Sequence, residues 1–325
     1  MDFPHIKPYL KKVEKIIIDD LGKEDERIYG MLGPFILRGG KRIRPALCLL
    51  SCGAVGGKYD IVVGPAAIIE LFHNFTLIHD DIEDDSQFRR GEPTLHISHG
   101  IPMALNSGDA LYTFIWKKLL ALELDPEKLL ELQNIYVDSF KRVVDGQGLE
   151  ISWIRSGRLD ITEEEYLEMI GGKTSALMGL SCEAGAFIGD HQHSKSLRDY
   201  GEKIGAAFQI HDDVLNITGD FEKYKKEIGG DISEGKRTLM VVHCLQNAGG
   251  SDRKRLISIL KRHTKEKSEI SEAIKIISGT DSVEYARKYS ENLIRQAKES
   301  LAGLPDSKDK RSLVGIADYV IKREL

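Results

Sequence analysis

Apolar residues recur at helical spacing along most of the chain. In the segment 125–147, Asp125 can cap a helix, Pro126 suits its first turn, and the apolar side chains share one stripe. The stripe consists of Leu129, Leu132, Tyr136, Phe140 and Val143. Thr162 and Glu165 have the spacing of a capping box ahead of another helical segment. Alternating β-branched runs are scarce and the breaks are short and polar, so the pattern predicts an all-α protein with residues 1–325 forming one large domain.

Composition narrows the class of protein without choosing a function. The 325 residues are 41% hydrophobic and 30% charged, which is typical of a globular protein. The net charge of -5 gives no support to a nucleic acid partner. The four cysteines show no CxxC spacing, so we interpret them as buried thiols in a reducing cytosol.

Targeting signals are not evident in the sequence. The opening segment "MDFPHIKPYLKKVEKIIIDDLG" predicts an amphipathic first helix rather than a signal peptide. Apolar runs such as "IVVGPAAII" stop at a charge, well short of the roughly 20 residues that a bilayer span needs. We therefore expect a soluble, cytoplasmic protein with no stable membrane insertion.

Aspartates crowd the end of one apolar segment, and the pattern is repeated. "IHDDIED" at 78–84 is followed 132 residues later by "IHDDVLN" at 210–216. On a helix, Asp80 and Asp84 lie one turn apart, with Asp81 and Asp85 beside them, where like charges destabilise. A solvated acidic helix end is one interpretation. The recurrence and the direct continuation of an apolar face favour a magnesium site built from carboxylate oxygens.

Cationic residues accompany the acidic ones. "GGKRIRP" places Lys41, Arg42 and Arg44 after two glycines, and "RRGEP" places Arg89 and Arg90 just after the first acidic cluster. Arginine matches phosphate oxygens with its planar fork, while lysine acts as a point charge. Each patch alone is typical of a solvated surface, but the alternation of acids and bases favours bound metal together with a diphosphate.

A helical metal-dependent phosphohydrolase of the HD type is an alternative. The "HDD" at 79–81 contains its His-Asp pair, but such sites need further histidines from separate helices. His73 is too near in sequence to be an obvious partner, and His79 and His211 can equally be core residues.

A nucleotide-binding P-loop is a second alternative, which the residues exclude. Gly230, Gly235 and Lys236 fit G-x-x-x-x-G-K, but Arg237 stands where Ser or Thr is needed. Asp231 and Glu234 would also repel phosphate. A lid that carries lysines over a site explains the segment better.

Taken together, the chain resembles the trans-isoprenyl diphosphate synthases, the polyprenyl synthetase family. The resemblance runs from about residue 30 to 240 through motifs in family order, namely "GGKRIRP", "LFHNFTLIHDDIEDDSQFRRGEPTLH", "NSGDAL", "DGQGLEISW", "GGKTSAL", "YGEKIGAAFQIHDDVLN" and "KEIGGDISEGKRT". It implies an isoprenoid synthase fold, a helical cup around a deep central cavity, usually in a homodimer. It also implies head-to-tail condensation of isopentenyl diphosphate with allylic diphosphates, with both aspartate-rich segments at the cavity mouth and about three Mg²⁺ ions.

The resemblance assigns roles to individual residues. The metal ligands would be Asp80, Asp81, Asp84 and Asp212, and the catalytic group would also include Asp213, Lys173 and Gln209. The allylic diphosphate would be held by Arg89, Lys173, Thr174, Gln209, Lys226 and Lys236, and isopentenyl diphosphate by Lys41, Arg44, His73 and Arg90. Gln147 matches a glutamine beside the reacting carbons, although a hydrogen-bonded core amide is equally consistent with the sequence.

Two positions bear on the particular reaction. The family's second segment usually reads DDxxD, whereas Asn216 stands in the last place here. Phe75 and Thr76, just upstream of Asp80, resemble the tunnel floor of geranylgeranyl diphosphate synthases. Products of fifteen, twenty or twenty-five carbons stay open, as do a terpene cyclase and a non-catalytic synthase subunit.

Overall fold

The structure is a computed structural model that describes residues 3–219 and 228–322. It is 79% helical, which confirms the all-α prediction. The α-helices are α1 (Lys7–Leu21), α2 (Glu26–Tyr29), α3 (Leu32–Leu37), α4 (Ile43–Ala54), α5 (Val63–Glu83), α6 (Leu95–His99), α7 (Ile101–Leu120), α8 (Pro126–Ser156), α9 (Glu163–Ile170), α10 (Ala176–Gly189), α11 (Ser194–Thr218), α12 (Gly230–Ser233), α13 (Leu239–Asn247), α14 (Gly250–Arg262), α15 (Lys267–Ser278), α16 (Ser282–Ser300) and α17 (Lys308–Lys322). Short 3₁₀ turns span Tyr59–Val62 and His191–His193, and a π-helical turn spans Gly171–Ser175. Strands β1 (Phe88–Arg89) and β2 (Glu92–Pro93) pair in an antiparallel hairpin.

The helix signals read from the sequence are present. The backbone N–H of Glu127 donates to Asp125 Oδ1 at 3.1 Å, so Asp125 caps α8. The Thr162 hydroxyl and the Glu165 carboxylate both complete the capping box of α9. On the stripe along α8, Leu132, Tyr136, Phe140 and Val143 are buried and Leu129 is half-buried. Helix α1 is amphipathic as expected and buries Val13, Ile17 and Leu21.

The described chain divides into two compact units. The first comprises Met1–Val137, Leu180–Arg198 and Gly303–Leu313, and the second comprises Asp138–Gly179, Asp199–Ala302 and Val314–Leu325. Unit boundaries fall inside α8, α10, α11 and α17. The prediction of a single domain for residues 1–325 stays a prediction.

In the first unit, α5 lies at the centre of the core and packs against α1, α4 and α7. Its buried side chains include Ile68, Ile69, Leu71 and Phe72, so the helix has little solvent-facing surface before its final turn. The position of α5 in the core therefore determines where its C-terminal end, with Asp80 and Asp81, lies in the first unit.

One segment is more apolar than the sequence analysis expected. Tyr59–Glu83 is long and apolar enough to cross a membrane by length and composition, although it contains the charged Glu70. Of its most apolar stretch, 67% is buried inside the protein, as in the core helix of a globular protein.

The second unit has its own apolar core. It gathers Trp153, Tyr166, Ile210, Met240 and Leu256, all buried. Helix α13 packs against α16, and α14 against α15. This core supports α11, which carries the second aspartate-rich segment, and α9, which carries Tyr166.

The four cysteines are free and buried, which confirms the prediction of buried thiols.

The backbones of α4 and α10 approach each other closely at Cys48 of α4. A Cβ placed on Gly185 of α10 would lie 2.1 Å from the Cys48 carbonyl oxygen. Since backbone cannot rotate away as a side chain can, only glycine fits this contact.

We expect Gly185→Ala to lower the free energy of unfolding by about 1–3 kcal/mol, because α4 and α10 must move apart. Gly315 in α17 has no atom within 4 Å of its added Cβ and is the matched control. Gly315→Ala should be neutral or stabilise by up to about 1 kcal/mol. Urea denaturation of both variants measures the difference, and equal stabilities would contradict the close-approach argument.

Candidate active site

The first acidic cluster lies at the C-terminal end of α5. The backbone N–H of Asp84 donates to the Asp80 carbonyl at 2.9 Å, so Asp80 and Asp84 lie one turn apart at the helix end. Asp81 is buried, Asp80 is half-buried and Asp84 is exposed. The C-terminal carbonyls of a helix add negative potential to these carboxylates. Cations are therefore strongly favoured at this helix end.

Asp81 is bound to Arg89 from the hairpin. Its Oδ1 accepts from Arg89 Nε at 2.6 Å and lies 2.5 Å from Nη2. Burial raises the pKa of the Asp81 carboxyl, although Arg89 partly opposes the shift. Asp81, a predicted metal ligand, and Arg89, a predicted diphosphate ligand, therefore form an ion pair in this structure.

The hairpin turn positions Arg90. Arg90 and Gly91 have φ of 55° and 83°, the two left-handed central residues that a type I′ turn requires. The Arg90 guanidinium donates to the Gly39 carbonyl. A Cβ on Gly40 would lie 3.0 Å from Arg90 Nη2, so glycine at this position lets the segment before Lys41 approach the guanidinium.

Arg44 and His73 lie in contact in the same unit. Arg44 Nη1 lies 3.2 Å from His73 Nε2, and because a guanidinium only donates, His73 accepts as a neutral ring protonated at Nδ1. Burial, followed by Arg44 and Arg90, lowers the pKa of His73 well below its ordinary value. Burial also lowers the pKa of Arg44 to about 10, so Arg44 stays charged at neutral pH. The structure therefore brings Arg44 and His73 together and places Arg90 against Gly39 and Gly40, the residues that precede Lys41.

Arg42 has a structural role that its sequence neighbours did not reveal. It is buried, with φ of 48°, and donates to Glu14 and Glu70 at 2.8 Å each and to the Ile36 carbonyl at 2.7 Å. The available signal was Glu70, a lone acid inside an apolar helix that needs a buried cation.

In the second unit, a chain of hydrogen bonds holds Asp213. Thr174 Oγ1 donates to Gln209 Oε1 at 2.9 Å, and Gln209 Nε2 donates to Asp213 Oδ1 at 2.8 Å. Tyr166 donates to Asp213 Oδ2 at 3.0 Å, a partner that the sequence analysis missed. Burial, reinforced by Asp231 and Asp212, raises the pKa of Asp213 well above its ordinary value. Three predicted residues, Thr174, Gln209 and Asp213, are thus joined in one network.

Lys173 lies on the π-helical turn and binds Glu150 of α8, with 2.5 Å between Nζ and Oε2. Burial alone would raise the pKa of Glu150, but Lys173 and the charges of Lys236 and Arg237 hold it below its ordinary value. A Cβ on Gly146 would lie 2.3 Å from the Lys173 backbone nitrogen, so this glycine lets α8 support the turn. Sequence analysis missed Glu150, whose only signal was its place in "DGQGLE". Gln147, one turn earlier on α8, is half-buried.

Arg237, which stands where a P-loop has Ser or Thr, belongs to the core of the second unit. Arg237 is buried and donates to the backbone carbonyls of Arg158 at 2.8 Å and Trp153 at 3.1 Å, so it serves the core. Lys236 Nζ lies 3.8 Å from Asp231 Oδ1 and also contacts Glu234. Lys226 lies outside the described residues.

The acidic residues fit a divalent cation by donor chemistry. Asp81 Oδ2 is buried and has no hydrogen-bond partner among the described residues. Within the described ranges, no group of three or more His, Cys, Asp or Glu side chains is arranged to hold an ion alone. Mg²⁺ takes one or two protein carboxylates and completes its shell with water and substrate phosphate. The buried Asp81 oxygen and the lack of a larger ligand group within the described ranges are therefore both compatible with a Mg²⁺ ion.

An aromatic group lies upstream of Asp80 in the first unit. The Phe75 ring centroid is 5.1 Å from that of Tyr112 and 4.7 Å from that of His79. His79 packs against Gly108, where an added Cβ would lie 2.3 Å from Nε2. Thr76 is half-buried and donates to the His73 carbonyl at 2.8 Å.

A cavity lies beside the part of α5 that precedes Phe75. Its volume is about 420 Å³, and Gly64, Ile68 and Leu71 of α5 contribute to its lining together with residues of α1 and α7. These three residues share a helix face with Phe75 because they precede it at spacings of three and four.

Comparisons with known proteins agree with this chemistry. The polyprenyl synthetase family model matches residues 25–277. A short chain isoprenyl diphosphate synthase from Methanothermobacter thermautotrophicus is 45% identical over 89% of this chain and 88% of its own length. The geranylgeranyl pyrophosphate synthetase of Pyrococcus horikoshii superposes with a TM-score of 0.92 at 36% identity, covering 98% of both chains.

A third comparison includes ligands. The polyprenyl synthase of Caulobacter crescentus, solved with calcium and isoprenyl diphosphate, superposes with a TM-score of 0.89 at 28% identity. It covers 98% of this chain and 96% of its own. The fold is therefore that of the isoprenoid synthases, and the phosphohydrolase alternative is wrong. The chain belongs to the polyprenyl synthetase family of prenyltransferases, which elongate isoprenyl diphosphates from isopentenyl and allylic diphosphates and use a divalent metal to bind them.

Proposed function

We propose that this protein is a magnesium-dependent synthase that condenses isopentenyl diphosphate head-to-tail with allylic diphosphates and releases all-trans geranylgeranyl diphosphate. The anion-binding group of the cations Arg44 and Arg90 and the neutral His73, all in the first unit, carries the proposal. A synthase binds two diphosphates, one allylic and one isopentenyl. A cyclase or hydrolase acts on a single diphosphate and does not need the second anion-binding site that these three residues would form. The relative from Pyrococcus horikoshii supports the product length, since it is a geranylgeranyl pyrophosphate synthetase.

The reaction follows from the placement of charge. Asp80, Asp81, Asp84 and Asp212 would hold about three Mg²⁺ ions, which supply electrophilic stabilisation of the leaving diphosphate. Lys173, Thr174 and Gln209 bind diphosphate oxygens, joined by Arg89, Lys226 and Lys236. Such fixed donors favour the charge that develops as the C1–O bond breaks.

Isopentenyl diphosphate is held by Lys41, Arg44, His73 and Arg90. His73 is neutral and orients Arg44 by accepting its hydrogen bond. The double bond of isopentenyl diphosphate attacks C1 of the allylic cation, and the released diphosphate accepts the proton that is lost. Apolar walls exclude water, which would otherwise trap the cation as an alcohol.

Assembly and location complete the proposal. We expect a cytoplasmic homodimer with no stable membrane insertion. In the first unit, exposed Ile97, Ile101 and Leu105 on α6 and α7 offer apolar surface that a second copy can cover. Light scattering during size-exclusion chromatography measures the mass of the particle.

The proposed function is tested by incubating the protein with Mg²⁺, labelled isopentenyl diphosphate and each of dimethylallyl, geranyl and farnesyl diphosphates. We expect labelled geranylgeranyl diphosphate. An alcohol would indicate hydrolysis, a cyclic hydrocarbon would indicate cyclisation, and an absence of turnover would indicate a non-catalytic subunit.

We expect Asp81→Ala and Asp212→Ala each to lower kcat by at least about 100-fold, because each removes a charge on which diphosphate departure depends. Asp85→Asn is the matched control, since Asp85 is 85% exposed and asparagine tolerates its φ of 49°. Circular dichroism checks that each variant is folded. Retention of activity by either alanine variant would refute its assigned role.

We expect Arg90→Ala to raise the KM for isopentenyl diphosphate by roughly 10–100-fold, since a charge-assisted hydrogen bond contributes about 1.5–3 kcal/mol. The KM for the allylic substrate should change by less than about threefold. Initial rates with each substrate varied in turn separate the two constants. Equal increases in both would contradict the assignment of Arg90 to the isopentenyl site.

We expect Phe75→Ala to lengthen the product, because removal of the ring opens the face of α5 that continues to Leu71, Ile68 and Gly64. Chromatography of the dephosphorylated products measures chain length. Phe88→Ala is the control, since that ring is 70% exposed. An unchanged product distribution would remove Phe75 from this role.

A further inference from the structure

Donors from the protein hold two side chains of the second aspartate-rich segment. The hydroxyl of Tyr166, which is 1% exposed in the core of the second unit, donates to Asp213 Oδ2 at 3.0 Å. Gln209 Nε2 donates to Asp213 Oδ1 at 2.8 Å. Asn216 is held as well, since its Oδ1 accepts from the backbone N–H of Asp231 at 3.2 Å. Because both Asp213 oxygens have a donor, the orientation of this carboxylate is fixed along with its position.

Helix α9 gives Tyr166 a defined place because its first turn is anchored from two sides. Arg158 donates to both carboxylate oxygens of Glu165, at 2.8 and 3.0 Å. From α16, the Tyr285 hydroxyl donates to Glu163. The Tyr166 hydroxyl can shift only if these bonds change, so its position is set by the packing of α9 and is imposed on its acceptor.

The Gln209 amide has one orientation that satisfies both of its neighbours. Thr174 Oγ1 donates to Gln209 Oε1 at 2.9 Å. The Asp213 carboxylate can only accept, so Gln209 Nε2 must face it. A reversed amide would place Oε1 against a carboxylate oxygen. The amide nitrogen carries a second hydrogen, which can be donated to a diphosphate oxygen under the proposed function.

These four residues close a ring of contacts between two stretches of chain. Tyr166 and Thr174 lie on α9 and on the π-helical turn that directly follows it, while Gln209 and Asp213 lie one turn apart on α11. The bonds from Tyr166 to Asp213 and from Thr174 to Gln209 connect the stretches at two points. Without the tyrosine hydroxyl only one point remains, and the carboxylate that orients the amide can rotate.

We infer that Tyr166 is a positioning residue for the allylic diphosphate, and that it acts through Asp213 on the donor amide of Gln209. The inference rests on the proposed function, because that function assigns diphosphate binding to Gln209. It adds a residue of α9 whose hydroxyl is directed at Asp213, so its effect on the substrate must pass through the amide.

Tyr166→Phe removes the hydroxyl and keeps the ring that packs in the core. We expect the KM for the allylic substrate to rise at least about fivefold, because a charged acceptor loses a hydrogen bond. The KM for isopentenyl diphosphate should change by less than about twofold. Initial rates with each substrate varied in turn measure both constants.

Tyr136→Phe is the matched control. Tyr136 is also fully buried, and its hydroxyl donates to the Pro65 carbonyl at 2.9 Å in the first unit. Both substitutions delete a buried hydroxyl, so each should lower Tm by roughly 1–6 °C. Only Tyr166→Phe should change a KM, whereas a merely structural Tyr166 would resemble Tyr136, with a lower Tm and both KM values within about twofold of wild type.

A double-mutant cycle with Gln209→Ala tests whether Tyr166 acts through the amide. Isothermal titration calorimetry with Mg²⁺ and the unreactive thiolo analogue of dimethylallyl diphosphate measures Kd without turnover. Tyr166→Phe should weaken binding at least about fivefold when Gln209 is present. In the Gln209→Ala background it should weaken binding by less than about twofold, because the amide that it orients is gone.

The outcomes separate this inference from the proposed function. A wild-type allylic KM in Tyr166→Phe would overturn the inference alone, as would equal increases in both KM values or equal weakening of analogue binding in both backgrounds. A wild type that binds the analogue but condenses no substrate would overturn the proposed function alone, since the binding cycle still measures the role of Tyr166.

Discussion

Charge that is taken out of water must be compensated, and this constraint organises both units of the protein. Asp81 is bound to Arg89 in the first unit, and Glu150 is bound to Lys173 in the second. Two unit charges about 4 Å apart interact by roughly 4 kcal/mol at the effective dielectric constant near a protein surface. Loss of one partner would therefore leave an uncompensated charge at a high cost in free energy. The pairing also gives Arg89 and Lys173 defined positions in the structure without ligand.

The same pairs bear on the proposed function. Under that proposal a diphosphate oxygen would replace the carboxylate as the acceptor for Arg89 or for Lys173, and a divalent cation would replace Arg89 as the partner of Asp81. Binding would then exchange one compensated arrangement for another instead of burying new charge. Arg42 and Arg237 show the contrasting case, since their bonds to Glu70 and to backbone carbonyls make them part of the core.

Close backbone contacts through glycine hold these charged groups in register. Gly146 lets α8 lie against the turn that carries Lys173, and Gly40 lets its segment approach Arg90. Gly205 of α11 allows a similar approach to Ser175, where an added Cβ would lie 2.7 Å from the Ser175 Cα. A methyl group on Gly146 or Gly205 would displace backbone, and one on Gly40 would displace the Arg90 guanidinium, so these contacts depend on the absence of a side chain.

Local chemistry could be predicted from the sequence wherever neighbouring residues decide it. Helix caps at Asp125 and Thr162 and the apolar stripe of α8 depend on residues a few positions apart. The aspartate pairs and the cationic segments likewise indicated diphosphate chemistry, because spacing along a helix fixes which side chains share a face.

Tertiary structure decided which charged residues serve the site and which serve the core. Arg42 and Arg44 are two positions apart, yet one binds Glu70 and the other His73. Glu150 and Tyr166 find their partners, Lys173 and Asp213, on other elements, which no local pattern specifies. The physical reason is that burial and long-range Coulomb interactions depend on packing, so the sequence alone determined the kind of chemistry and the fold determined which residues can perform it.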